Sequence, residues 1–177
     1  MSSLSWMPAL DRPDLLAPPV ARAVRDLADE EIKVAEIDPA LADTAAFCAR
    51  YGVALAESAN CVIVAARRGG ETRYAAVLVL ATTRADVNGV VRRHLEARKA
   101  SFAPHQDAVE LTGMEYGGIT PLGLPEEWPV LVDAAVAAAP FVVVGSGLRR
   151  SKVALSGAVL AGLKTARVLS VAIPAAG

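Results

Sequence analysis

CVIVAARRGGETRYAAVLVLA, residues 61–81, carries two apolar runs on either side of a charged turn with a Gly-Gly pair. Residues 61–66 and 74–81 are short, uninterrupted and rich in β-branched side chains, and 67–71 supply the turn, so the stretch predicts a hairpin of buried strands. Working outward, helical and extended patterns alternate. Apolar residues at helical spacing mark 20–28, and 32–37 alternate as a short strand. Asp38-Pro39 forms an N-cap with proline at the first helical position, predicting a helix over 40–51 that ends at Gly52. Beyond the hairpin, 86–97 place Val87, Val90, Val91 and Leu95 on one helical face, and 106–111 form a shorter helix closed by Gly113. Strands are expected at 130–132 and 141–144 with a short helix at 134–139 between them. Residues 153–155, a small helix at 157–163 and a strand at 167–172 follow. This alternation predicts an α/β fold: one domain with a mixed β-sheet flanked by helices. Residues 1–19, with four prolines and no periodicity, read as an extended N-terminal segment packed on, or trailing from, a domain over 20–177.

Composition narrows the classes of function. The 177 residues fit one domain, and 54% hydrophobic content with only 5% aromatics predicts a core of small and β-branched side chains around a small pocket. A net charge of -1 and a pI near 6.1 argue against coating nucleic acid through the overall field. Two local clusters remain: Arg92, Arg93, Arg98 and Lys99, and Arg149, Arg150 and Lys152. Cys48 and Cys61 make neither a disulfide framework nor metal-ligand spacing, which fits a reducing cytoplasm and no metal. The N-terminus lacks a basic region followed by an apolar run, and no window holds the roughly 18 apolar residues of a membrane span. A soluble cytoplasmic protein is expected, without membrane contact; the oligomeric state is not specified.

The most unusual backbone lies in LTGMEYGGITPLG, residues 111–123. Gly117 and Gly118 permit positive φ and close approach of another molecule, while Pro121 stiffens the exit. Successive amides in such a turn can cradle an oxyanion, a carbonyl or a phosphate; an ordinary tight connection has the same composition. Gly145-Ser146-Gly147 marks a second bend, with the Ser146 hydroxyl flanked by flexible residues. Asp133 ends a strand, where a carboxylate either faces a ligand or orders the backbone. Cys61, followed by Val62, Ile63 and Val64, reads as a buried strand residue rather than a nucleophile. His94 and His105 read as surface or capping residues rather than general bases.

Three blocks, RKASFAPHQDAVELTGMEYGGITPLG (98–123), VLVDAAV (130–136) and VVVGSGLRRSKVAL (142–155), resemble in order the YbaK/ProX family of aminoacyl-tRNA deacylases, relatives of the editing domain of some prolyl-tRNA synthetases. The resemblance implies a mixed α/β fold and hydrolysis, in trans, of the ester of a mischarged tRNA, of the proline type first. It implies no cofactor, aminoacyl-tRNA as partner, and a synthetase as a further partner. Gly117 and Gly118, with Ile119, Thr120 and Pro121, would hold the ester carbonyl, and Asp133, Gly145, Ser146 and Gly147 would line the pocket. The family's characteristic lysine falls at the start of the strand SANCVIVAARR, where this chain has Asn60. An amide donates a hydrogen bond but brings no charge. Three readings follow: Asn60 orients substrate in a variant deacylase, Lys99 or Lys152 substitutes as the cation, or the domain binds a tRNA end, a nucleotide or a synthetase without hydrolysis.

Overall fold

The computed structural model describes residues 3–175. In chain order the strands are β1 (Met7–Pro8), β2 (Lys33–Glu36), β3 (Ala59–Arg68), β4 (Glu71–Leu80), β5 (Thr83–Ala85), β6 (Lys99–Phe102), β7 (Val130–Asp133), β8 (Val142–Gly145), β9 (Ser151–Leu155), β10 (Ala166–Leu169) and β11 (Ala172–Pro174). The α-helices are α1 (Pro18–Leu27), α2 (Thr44–Tyr51), α3 (Arg92–His94), α4 (His105–Thr112), α5 (Ala134–Ala137) and α6 (Gly157–Ala161). The hairpin read from the sequence is β3 with β4, paired from Ala59↔Leu80 to Arg68↔Glu71. Gly69 and Gly70 close it with φ of 58° and 82°, the two positive values a two-residue hairpin turn of this hand requires.

That hairpin forms the middle of a five-stranded sheet in the order β10-β7-β4-β3-β6. β7 runs parallel to β4 and β10 parallel to β7, whereas β6 is antiparallel to β3; the sheet is mixed, as expected. A second, antiparallel sheet has the order β1-β2-β9-β8, and β11 pairs with β5. A parallel bridge from Ser58 to Val143 joins the start of β3 to β8 of the other sheet. Val, Leu and Ala from both sheets and from α1 make the main core, and a satellite of Ile37, Ala42, Phe47, Cys48, Val53, Val143 and Ala154 seats α2 on the antiparallel sheet.

Several expectations are revised by local physics. The helix predicted over 40–51 is interrupted. Asp38 accepts a hydrogen bond from the Ala40 amide and caps a 3-10 turn, Pro39–Leu41. The chain then extends at Asp43 (φ -65°, ψ 137°) before α2, which Gly52 ends at φ 69°. The predicted helix at 86–97 opens as a π-helical turn, Val87–Val91, because the Asp86 carboxylate accepts from the amides of both Gly89 and Val90. The strand predicted at 167–172 is two strands, since β10 belongs with β7 and β11 with β5. β6 has no counterpart among the predicted strands. The N-terminal segment contributes β1, paired to β2, and buried Leu15, Leu16 and Ala17, and α1 already begins at Pro18. Residues 1, 2, 176 and 177, the outermost parts of the two predicted segments, lie outside the described residues.

Candidate functional site

A cavity of about 390 Å³ opens where the two sheets meet. Residues 58–63 at the start of β3 line one side, and Val143, Val144 and Gly145 of β8 with Lys152 of β9 line the other. Ala42 and Asp43, in the break before α2, and Thr44, the first residue of α2, close it from a third direction, and Phe102, Ala103, His105, Ala108, Tyr116, Gly117 and Ile119 complete the lining. The interior is small and aliphatic: Ala59, Ile63, Ala103 and Ala108 are buried. The mouth is aromatic. Phe102 and Tyr116 are 63% and 50% exposed, and the His105 ring stacks on Tyr116 at 4.1 Å between centroids.

Asn60 and Lys152 are among the polar side chains that line it. Asn60 Oδ1 accepts a 2.6 Å hydrogen bond from Thr44 Oγ1. That bond fixes the amide's orientation and leaves Nδ2 without an acceptor among the described residues. Lys152 is only 8% exposed. Its Nζ donates to the Ala42 carbonyl at 2.9 Å and sits 5.1 Å from the Phe47 ring centroid, a cation-π geometry. Burial pulls the Lys152 ammonium down to about 8; the nearby Cys48 and Asp43 raise it in part, and Arg149 lowers it further. Cys61 also lines the cavity, but burial pushes its thiol up to about 12, so it stays protonated at neutral pH and is a poor nucleophile.

The glycine loop is welded to the second bend. The Gly118 amide donates to the Glu115 carbonyl at 2.9 Å, and its own carbonyl accepts from Gly147 at 2.7 Å. A Cβ at Gly118 would lie 2.8 Å from the Leu148 backbone, and one at Gly145 would collide with the Gly118 carbonyl. Gly118 is therefore a packing glycine whose amide is already engaged, which corrects its expected place as an oxyanion donor. Gly117 (φ 88°) and Ile119 do line the cavity, and neither amide donates to another described residue. Arg149 staples this loop to the segment before α2, donating to the carbonyls of Tyr116 and Pro39.

Other residues singled out by sequence lie elsewhere. Ser146 is fully buried: its hydroxyl sits 2.7 Å from Ser151 Oγ and within hydrogen-bond reach of the Leu148 and Ser151 carbonyls. This corrects the picture of an exposed turn hydroxyl. Asp133 caps α5 through the Ala135 amide and accepts from the amides of Val171 and Ala172, the backbone-ordering alternative. Gly147 (φ 86°) packs against Ala17. Thr120 and Pro121 are buried behind the lining, and the Thr120 hydroxyl has no partner among the described residues. Lys99 is exposed opposite Arg67, at the far end of β3, and is not among the cavity residues. His94 is exposed on α3. Sequence reasoning missed Thr44, Phe102 and Tyr116, and put His105 on the surface without its stacking partner. Among the described residues no group of three His, Cys, Asp or Glu side chains is placed to hold a metal, and no helix is long and apolar enough to cross a membrane.

Comparison with known proteins agrees with this architecture. The aminoacyl-tRNA editing domain family matches residues 38–163, which contain every cavity residue. A solved structure described as a candidate trans-editing enzyme for prolyl-tRNA synthetase superposes with a TM-score of 0.75 at 21% identity, covering 89% of this chain and 96% of that one. A hypothetical protein superposes with a TM-score of 0.77 at 21% identity, covering 88% and 99%. A scaffold used for computational epitope grafting gives 0.75 at 20%, covering 89% and 97%. No curated protein matches at a significant level.

Proposed function

Since the chain belongs to the aminoacyl-tRNA editing domain family, we propose that it hydrolyses, in trans, the ester of a mischarged tRNA. The observation that carries this reading is the cavity: a small aliphatic chamber with a fixed amide donor at Asn60 and an aromatic mouth. An aminoacyl group of alanine or cysteine size fits a chamber walled by Ala59, Ile63, Ala103 and Ala108. This is the second-sieve logic by which a small site removes what a synthetase cannot reject by binding alone. The ester is already activated, so positioning of water and donors for the developing oxyanion do the work. The unengaged amides of Gly117 and Ile119 and Asn60 Nδ2 are the candidate neutral donors. At the mouth, Tyr116 with His105, and Phe102, present faces on which a terminal adenine can stack, an interaction commonly worth about 1–3 kcal/mol per base. Proline tRNA is the first acceptor to try, because one neighbour is described as serving prolyl-tRNA synthetase. Such a substrate is met in the cytoplasm, where Cys48 and Cys61 stay reduced.

The test is multiple-turnover release of amino acid from a panel of mischarged tRNAs, including alanyl and cysteinyl esters of proline tRNA. Catalytic amounts of protein are expected to exceed the buffer rate on at least one small aminoacyl ester. A protein that binds charged tRNA and leaves the ester's lifetime unchanged is instead a non-catalytic module of the same fold. Tyr116→Ala is expected to raise KM about tenfold, as removal of one stacking platform should, with kcat nearly unchanged.

A further inference from the structure

We propose that Lys152 supplies the positive charge of this pocket, reaching in from β9 to stabilise the oxyanion formed when water adds to the ester carbonyl. The inference rests on the editing reading above and names the group that makes the chemistry work.

Lys152 is the one buried Lys or Arg among the described residues. A buried ammonium is costly unless paired, and this one makes no ion pair: among the described residues the salt bridge is Arg12 with Asp14. Its hydrogen bond goes to the neutral Ala42 carbonyl, which leaves two N–H donors. Its placement is specific. In the strand ladder Lys152 stands between Ala35 and Gly145, and Gly145 is the glycine against which the carbonyls of Gly118 and Ile119 pack. Ala42, which holds Nζ, lies two residues from Thr44, which holds Asn60. One three-residue segment therefore pins both polar groups, and the charge missing at Asn60 enters from the opposite wall.

In the reaction, the oxygen of water bonds to the carbonyl carbon and the carbonyl oxygen becomes anionic. The bond from carbon to the ribose oxygen then breaks, the ribose oxygen takes up a proton, and the amino acid leaves as its carboxylate with one proton released. The ammonium faces the charge that appears in the first step, where a desolvated cation acts more strongly than one in water. The groups facing it are Asp43, Cys48 and the Phe47 ring from the α2 region, and Arg149 from the bend before β9.

The experiment is single-turnover deacylation from pH 6.5 to 9.5, corrected for the enzyme-free rate, comparing wild type, Lys152→Met, Lys152→Gln and the surface control Lys164→Gln. Both Lys152 variants are expected to lose at least 100-fold in rate with tRNA affinity within twofold. Wild-type rate should fall as pH rises through about 8, and Lys164→Gln should match wild type. Wild-type turnover with either Lys152 variant within threefold of it overturns the assignment alone, as does a wild-type profile that does not fall above pH 8, a reading that needs no variant to fold. A wild type silent on every ester overturns the editing reading, and the assignment goes with it.

Discussion

The two ends of β3 meet positive charge in two different settings. At its start, Asn60 to Ile63 line a cavity whose single cation, Lys152, is desolvated. At its finish, eight residues and roughly 26 Å along an extended strand from Asn60 to Arg68, Arg67 and Arg68 stand exposed beside Arg73, Arg98 and Lys99. Two of these reach neighbouring carbonyls: Arg68 donates to Glu96 and Arg73 to Leu95. Solvated arginines contribute long-range, salt-screened attraction, whereas a buried ammonium acts at short range on whatever shares its pocket. The difference teaches that the net charge of -1 says little about either job. We propose the first end for chemistry and the second for holding the tRNA backbone.

The largest effect is expected where the cavity's frame is held. Gly118→Val places side-chain atoms against the Leu148 backbone and pries the loop from the second bend. Activity should fall beyond 100-fold, with a stability loss of about 1–3 kcal/mol typical of overpacking, read by deacylation and thermal melting. A folded variant with wild-type rate would detach the glycine loop from the site.

Next comes a stability test of the buried charge. The folded-state pKa of Lys152 is lowered from 10.5 to about 8, so between those values the unfolded chain binds the extra proton. The residue's contribution to stability is then lowest below pH 8 and rises towards pH 10.5, by an amount on the order of 3 kcal/mol. Lys152→Met should accordingly be more stable than wild type at pH 7, by about 1–3 kcal/mol, with the gap closing by pH 10. A Met variant less stable at pH 7 would mean that the ammonium is there to hold the fold.

At the other end, neutralising Arg67, Arg68 and Arg98 together should flatten the dependence of tRNA binding on salt. The log–log slope should shrink by about 0.7–0.9 for each phosphate no longer neutralised. An unchanged slope would move the tRNA backbone elsewhere. The smallest effect belongs to Cys61→Ala, expected to stay within threefold of wild type, because a thiol pushed up to about 12 by burial supplies no thiolate at neutral pH.

What the sequence made legible was whatever has a local cause. The β3–β4 hairpin followed from two apolar runs around Gly69-Gly70, and the stops at Gly52 and Gly113 from residues that take φ of 69°. The glycine loop was visible because close backbone approach excludes Cβ atoms. Features with non-local causes were hidden. β6, reading KASF, is a strand because it extends the edge of β3 at Val64 to Arg67. Lys152 was readable as one of two substitute cations, within a basic run with Arg149 and Arg150, but its burial was not, since that comes from lying between β2 and β8 under α2. Ser146 pointed the wrong way for a similar reason, since Ser151 and Leu148, which engage its hydroxyl, meet it only through the fold of the bend. The aromatic mouth gathers Phe102 of β6, His105 of α4 and Tyr116 of the loop that follows; all three lie within the block 98–123, but only the fold brings them together.

One experiment sets the two ends directly against each other: single-turnover deacylation against enzyme concentration for wild type, Lys152→Met and the Arg67, Arg68, Arg98 triple variant. The account predicts that Lys152→Met lowers the plateau rate at an unchanged half-saturation concentration, and that the triple variant raises the half-saturation concentration at an unchanged plateau. If both variants moved the same parameter, the division of β3 into a chemical end and a binding end would be contradicted.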